Sequence, residues 1–132
     1  MSIGKIELLR LFNENCNLFF DALIEILPHE KDLRMLQILF RNTIPVEQAM
    51  NIFTKRILPY VDLIEKQDPK FFIEGKDLFR GLHEDKVNYF KQIWLSETLN
   101  QEDKDSLWQW FQLFASLAIN YQPYIDNSLS KI

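Results

Sequence analysis

From Ser106 to Ile125 the chain runs for twenty residues without one charged side chain. Few sequence features constrain a fold more. Placed at about 100° per residue, Leu107, Phe111, Phe114, Ala118 and Tyr121 share one helix face. Trp110, Leu113 and Leu117 widen that face on one side, and Trp108, Ala115 and Ile119 widen it on the other. What remains is a narrow uncharged stripe of Gln109, Gln112, Ser116 and Asn120. A helix that is apolar nearly all round is buried, so this one is expected to be the central post of a helical bundle. Solvated helix faces elsewhere in the chain carry charge. The uncharged stripe is therefore expected to be covered, by the first helix or by a second molecule, and is a candidate partner-contact surface.

A membrane span is the competing reading of the same stretch. Trp108 and Trp110 at one end and Tyr121 and Tyr124 at the other resemble interfacial belts. The belts stand only about 20 Å apart on a helix, short of a hydrocarbon core of about 30 Å. Two Gln, a Ser and an Asn also lie within the stretch. No membrane span is expected.

The remaining segments read as amphipathic helices that need such a post. Over residues 3–27, Ile6, Leu9, Phe12, Cys16, Phe19, Phe20, Leu23 and Leu27 recur at helical spacing, with Glu7, Arg10, Glu14, Asp21 and Glu25 opposite. Pro28 stops this helix. Asp32 predicts the cap of a second helix to about Arg41, with Leu33, Leu36, Ile38, Leu39 and Phe40 inward. Asn42-Thr43 and Pro45 open a third, which carries Val46, Ala49, Met50, Phe53, Ile57, Val61 and Ile64. Pro59 must kink or split it, and Asp68-Pro69 ends it. A fourth helix is expected from about Glu84 to Leu95, and a fifth from a cap at Asn100, with Asp103 at the third position, to about Gln122 before Pro123. The expectation is an all-α fold: a compact bundle of about five helices, one domain over residues 1–132, with the C-terminal helix central. With 3 glycines in 132 residues there is little turn chemistry for a sandwich or barrel.

Function classes are narrowed mostly by exclusion. A net charge of -4 argues against a dedicated nucleic-acid binder. Residues Val46 to Pro59, with Lys55 and Arg56, can be forced into a helix-turn-helix only without the turn chemistry that motif needs. Cys16 is the single cysteine, which rules out an internal disulfide, suits a reducing compartment and reads as a buried thiol. Cys16, His29 and His83 lack zinc-ligand spacing, and neither histidine has a Glu three residues before it, as a helical di-iron site requires. Asp21 and Glu25 share a helix face, but it is the polar one. No phosphate loop or nucleophile elbow occurs. No metal, no cofactor and no catalytic residues are expected. Phe71, Phe72 and Phe79, in the irregular stretch 69–83, form either an aromatic partner patch or a loop tucked onto the core.

Charges at Glu7, Arg10 and Glu14 break any apolar run near the start, so no secretory signal is expected, and Ser2 gives no myristoylation signal. The closing Ser130-Lys131-Ile132 departs at Ile132 from the peroxisomal Ser-Lys-Leu, so a cytoplasmic location is expected instead.

A resemblance covers residues 20–121. Ile26-Leu27-Pro28 before Lys31-Asp32-Leu33, and Leu58-Pro59-Tyr60-Val61 before Gln67-Asp68 and Phe71-Phe72, form its first half. Phe90-Lys91-Gln92-Ile93-Trp94, Leu95-Ser96, Lys104 and the run Leu107-Trp108-Gln109-Trp110-Phe111-Gln112-Leu113-Phe114 form its second. The pattern is similar to a group of short helical proteins of nucleocytoplasmic large DNA viruses, although Trp110 stands where a Tyr is more usual. The resemblance implies a viral protein of the infected cell's cytoplasm or the virion, and brings no catalytic residue with it. Together these readings point to a non-enzymatic protein–protein interaction or structural module, with a protein partner or self-association. The alternative is an accessory factor of nucleic-acid or transcription machinery.

Overall fold

The computed structural model describes residues 4–28, 30–42, 44–71 and 99–125. Among them every regular element is helical and there is no strand. Helix α1 spans Lys5–Ile26, α2 Lys31–Asn42, α3 Val46–Ile57, α4 Val61–Glu65 and α5 Gln101–Tyr121, with 3-10 turns at Leu58–Tyr60 and Gln122–Tyr124. The all-α expectation holds. The count of about five is slightly off: among the described residues α1, α2, α3 and α5 are full helices, while α4 is a five-residue helix that continues the third predicted helix past Pro59. The fourth predicted helix, 84–95, lies outside the described residues.

The breaks fall where local chemistry places them. The α1 helix closes one residue before Leu27-Pro28, with the Leu27 N–H donating to the Leu23 carbonyl at 2.8 Å. Pro59 cannot donate to an α-ladder, so the chain passes through a 3-10 turn and resumes at Val61. Asn100 caps α5: its Oδ1 accepts the Asp103 N–H at 2.7 Å. Helix α2 begins at Lys31, one residue ahead of the cap expected at Asp32.

The end of α4 differs from expectation. Gln67 adopts a left-handed φ of 53°. Its N–H donates to the Ile64 carbonyl at 3.1 Å, and the Asp68 N–H reaches back to the Leu63 carbonyl at 2.9 Å. This is a Schellman motif built on glutamine, where glycine is the usual occupant. Asp68-Pro69 opens the next turn: the Asp68 carboxylate accepts the Lys70 N–H at 3.0 Å.

The chain divides into two compact units, residues 1–54 with 117–132, and residues 55–116. In the first, Leu8, Phe12, Leu33, Met50, Leu117, Ala118 and Tyr121 are buried. The Phe12 ring lies 5.4 Å from Phe53 and 6.2 Å from Phe40, and Phe20 lies 6.1 Å from Phe40. Lys5 pairs with Glu47 at 2.6 Å. In the second, Ile57, Ile64, Phe71, Leu99, Leu107, Trp108, Phe114 and Ala115 are buried. Phe71 meets Phe111 edge-on at 5.4 Å, with Tyr60 at 6.1 Å and Trp108 at 6.3 Å. Trp110 stacks on Phe114 at 6.1 Å.

Helix α5 is not buried all round. Leu113 and Ile119, expected to widen its apolar face, are exposed. Ile6 of α1 is also exposed, although it falls on the predicted apolar stripe.

Candidate functional site

Helix α2 has more apolar residues than one face can hold, and its neighbours decide which are left outside. Asn17 and Asp21 lie one turn apart on α1, and both reach α2. Gln37 donates to the Asp21 carboxylate at 2.8 Å and to the Asn17 carbonyl at 3.3 Å. Arg41 donates to the Asn17 side-chain oxygen at 2.7 Å. These bonds turn the Gln37 side of α2 inward, and Gln37 is buried although it is an amide. Leu33 is buried beside it, and Leu36 and Phe40 are half-buried.

The opposite side of α2 faces solvent. Met35 is 68 % exposed, Ile38 58 % and Leu39 46 %. They stand at i, i+3 and i+4 and so form one ridge. Ile38 and Leu39 were expected inward; the side-chain bonds from α1 to Gln37 and Arg41 turn them outward. Lys31, Arg34 and Arg41 are exposed as well. Three large aliphatic side chains contiguous on one helix and open to water mark an interaction surface.

Gln109 and Ser116 are exposed and Gln112 half-buried on the part of α5 in the second unit; Asn120, on the part in the first, is exposed. The chain's own described helices therefore do not cover the stripe. Phe71 is fully buried among three aromatic rings and offers no surface. Phe72 and Phe79 lie outside the described residues, as do His29 and His83.

The chemistry near these elements is structural. Asp21 serves as acceptor for Gln37, while Glu25 is exposed. On the outer side of α1, Arg10 bridges Glu7 and Glu14. The bonds from Arg10 hold the Glu7 carboxyl below its ordinary range, and both acids hold the guanidinium in its charged form. Desolvation on α1 pushes the Cys16 thiol up to about 12, so it stays protonated and unreactive at neutral pH. Among the described residues no three Cys, His, Asp or Glu side chains converge to hold a metal ion. None of the described helices is long and apolar enough to cross a membrane. Residues 46–57 are one unbroken helix, which leaves no turn there for a helix-turn-helix.

Compared with family models, curated proteins and solved structures, the chain matches none.

Proposed function

We propose that this chain works by binding another protein, as a non-enzymatic interaction or structural module, and that the outer face of α2 is the contact surface. One observation carries the reading: Met35, Ile38 and Leu39 form a contiguous ridge that remains about half or more exposed while Leu33 and Gln37 of the same helix are buried and Leu36 and Phe40 half-buried. Covering such side chains gains roughly 1–2 kcal/mol each, enough for three of them to anchor a contact. The uncharged stripe on α5 offers a second contact surface. The proposal takes α5 as the central element of the bundle, supported by the buried residues it supplies to each unit. The viral resemblance supplies the setting, an infected cell's cytoplasm or a virion.

The test is quantitative affinity capture from the cell that makes the protein, with the natural chain beside Ile38→Glu, and sedimentation of both. The reading expects a bound protein, or a self-associated species, that the natural chain holds and Ile38→Glu releases while its melting temperature is unchanged. Equal recovery and equal sedimentation for the two chains refute it.

A further inference from the structure

We infer that the occupant of the α2 face is an acidic amphipathic helix from a partner protein. This rests on the reading of α2 as the docking surface and adds the chemistry of what docks there.

The shape comes first. Met35, Ile38 and Leu39 are a ridge on a helix, and the spacing i, i+3, i+4 is the one a second helix matches when it packs alongside. Charge then selects among helices. At about 100° per residue, Lys31 falls between Ile38 and Met35, Arg34 lies about 40° beyond Ile38, and Arg41 lies about 60° beyond it. All three are exposed. Asp32, the single carboxylate in α2, falls about 20° beyond Leu39 on the other flank, so the Ile38 flank of the ridge is the basic one, on a chain whose net charge is -4. A helix carrying leucine-like anchors and Asp or Glu on its flanks meets both the ridge and its rim.

Two other occupants fit less well. A second copy docked α2 to α2 sets cation against cation: antiparallel pairing brings Arg34 of one helix toward Arg41 of the other, and parallel pairing brings Arg34 toward Arg34. An anionic membrane surface would be drawn to the basic rim, but three aliphatic side chains on one short helix give only shallow insertion.

Two synthetic helices test this. Both carry leucines at the same heptad positions; one has glutamates elsewhere and the other lysines. Binding of each labelled peptide to the whole chain is followed by fluorescence anisotropy at low and high salt. The inference expects saturable binding of the glutamate peptide and none of the lysine peptide. Affinity should fall about tenfold or more on raising the salt or in the Lys31→Glu, Arg34→Glu double variant. That double variant should instead accept the lysine peptide, and Ile38→Glu should abolish binding. All these positions are exposed, so unchanged melting temperatures verify folding. Equal affinity for both peptides, or no saturable binding of the glutamate peptide, overturns the inference. So does capture by phosphatidylserine vesicles in its place, or a dimer that Ile38→Glu dissolves. If the peptides fail while Ile38→Glu still releases a captured protein, the docking surface stands and the acidic helix falls. If Ile38→Glu changes nothing in any assay, both fall.

Discussion

Replacing Phe71 by Ala is the most direct test of how the second unit is held together. Phe71 is 0 % exposed, and its ring is surrounded by Phe111 at 5.4 Å, Tyr60 at 6.1 Å and Trp108 at 6.3 Å. Truncating a buried phenylalanine costs about 3–5 kcal/mol, from lost transfer energy plus the void left behind. Ring pairs add about 0.5–1.5 kcal/mol each, and three are lost together, so the expected cost lies near the upper end, about 4–5 kcal/mol. Each kcal/mol shifts the melting temperature of a chain this size by roughly 3–5 °C, so the drop should exceed roughly 12 °C. Urea unfolding followed by tryptophan fluorescence reads this directly, because Trp108 touches the altered site. Phe71→Leu, which keeps most of the volume, should cost about 1–1.5 kcal/mol and keeps the measurement informative if the alanine variant does not fold. A loss below about 1 kcal/mol for Phe71→Ala would refute the reasoning, since that is the range of a surface side chain.

Other outcomes follow from the same structure. Gln67→Gly should stabilise the chain by up to about 1 kcal/mol, because glycine adopts the left-handed φ of 53° without the clash glutamine carries; a destabilised variant in denaturant unfolding would contradict that account. The Cys16 thiol should react slowly with iodoacetamide at pH 8 in the native protein and rapidly once unfolded, because desolvation raises its pKa to about 12. A raised folded-state value favours the protonated form, so this contribution is present in full below the thiol's ordinary value near 9 and is lost as pH rises toward 12. Cys16→Ala should therefore unfold with a shallower loss of stability over that window. Gln112→Lys should leave the melting temperature within the effect of about 0.5 kcal/mol usual for surface changes, because Gln109, Ser116 and Asn120 around it are exposed; a loss above about 1 kcal/mol would place the stripe inside the fold.

Much of this fold is legible in the sequence because its breaks are local. Pro28, Pro59 and Pro123 each remove a donor at a fixed place, and the Asn100 side chain reaches only as far as Asp103. What depends on distant neighbours is not legible. In the α2 sequence, Leu33, Met35, Leu36, Ile38, Leu39 and Phe40 spread over about 220° of the helix, so periodicity alone does not choose the buried side. The choice is made by Asn17 and Asp21, which bond to Gln37 and Arg41 from a helix 16 to 24 residues away in sequence. A buried amide is the element that a hydropathy pattern discards, and here it sets the face. The end of α4 eluded sequence reading for a related reason: Gln67 adopts a left-handed conformation that its residue type does not advertise, with Asp68-Pro69 behind it drawing attention as the obvious stop.

The same logic bears on where function was sought. The α5 stripe stands out because charge is missing from it, whereas the α2 ridge hides among residues that look like core. Yet the sequence holds a usable signal for the ridge. A helix packed on one side buries an apolar stripe roughly 100° wide or somewhat more, whereas the large apolar side chains of α2 span about 220° of its circumference. Once Gln37 is known to face inward, Met35, Ile38 and Leu39 have nowhere to go but out, with Lys31, Arg34 and Arg41 beside them. An excess of apolar residues over what one face can bury, bordered on one flank by a cluster of like charges, is thus a readable sign of a docking helix. It becomes readable only after a single long-range polar contact has fixed which way the helix turns.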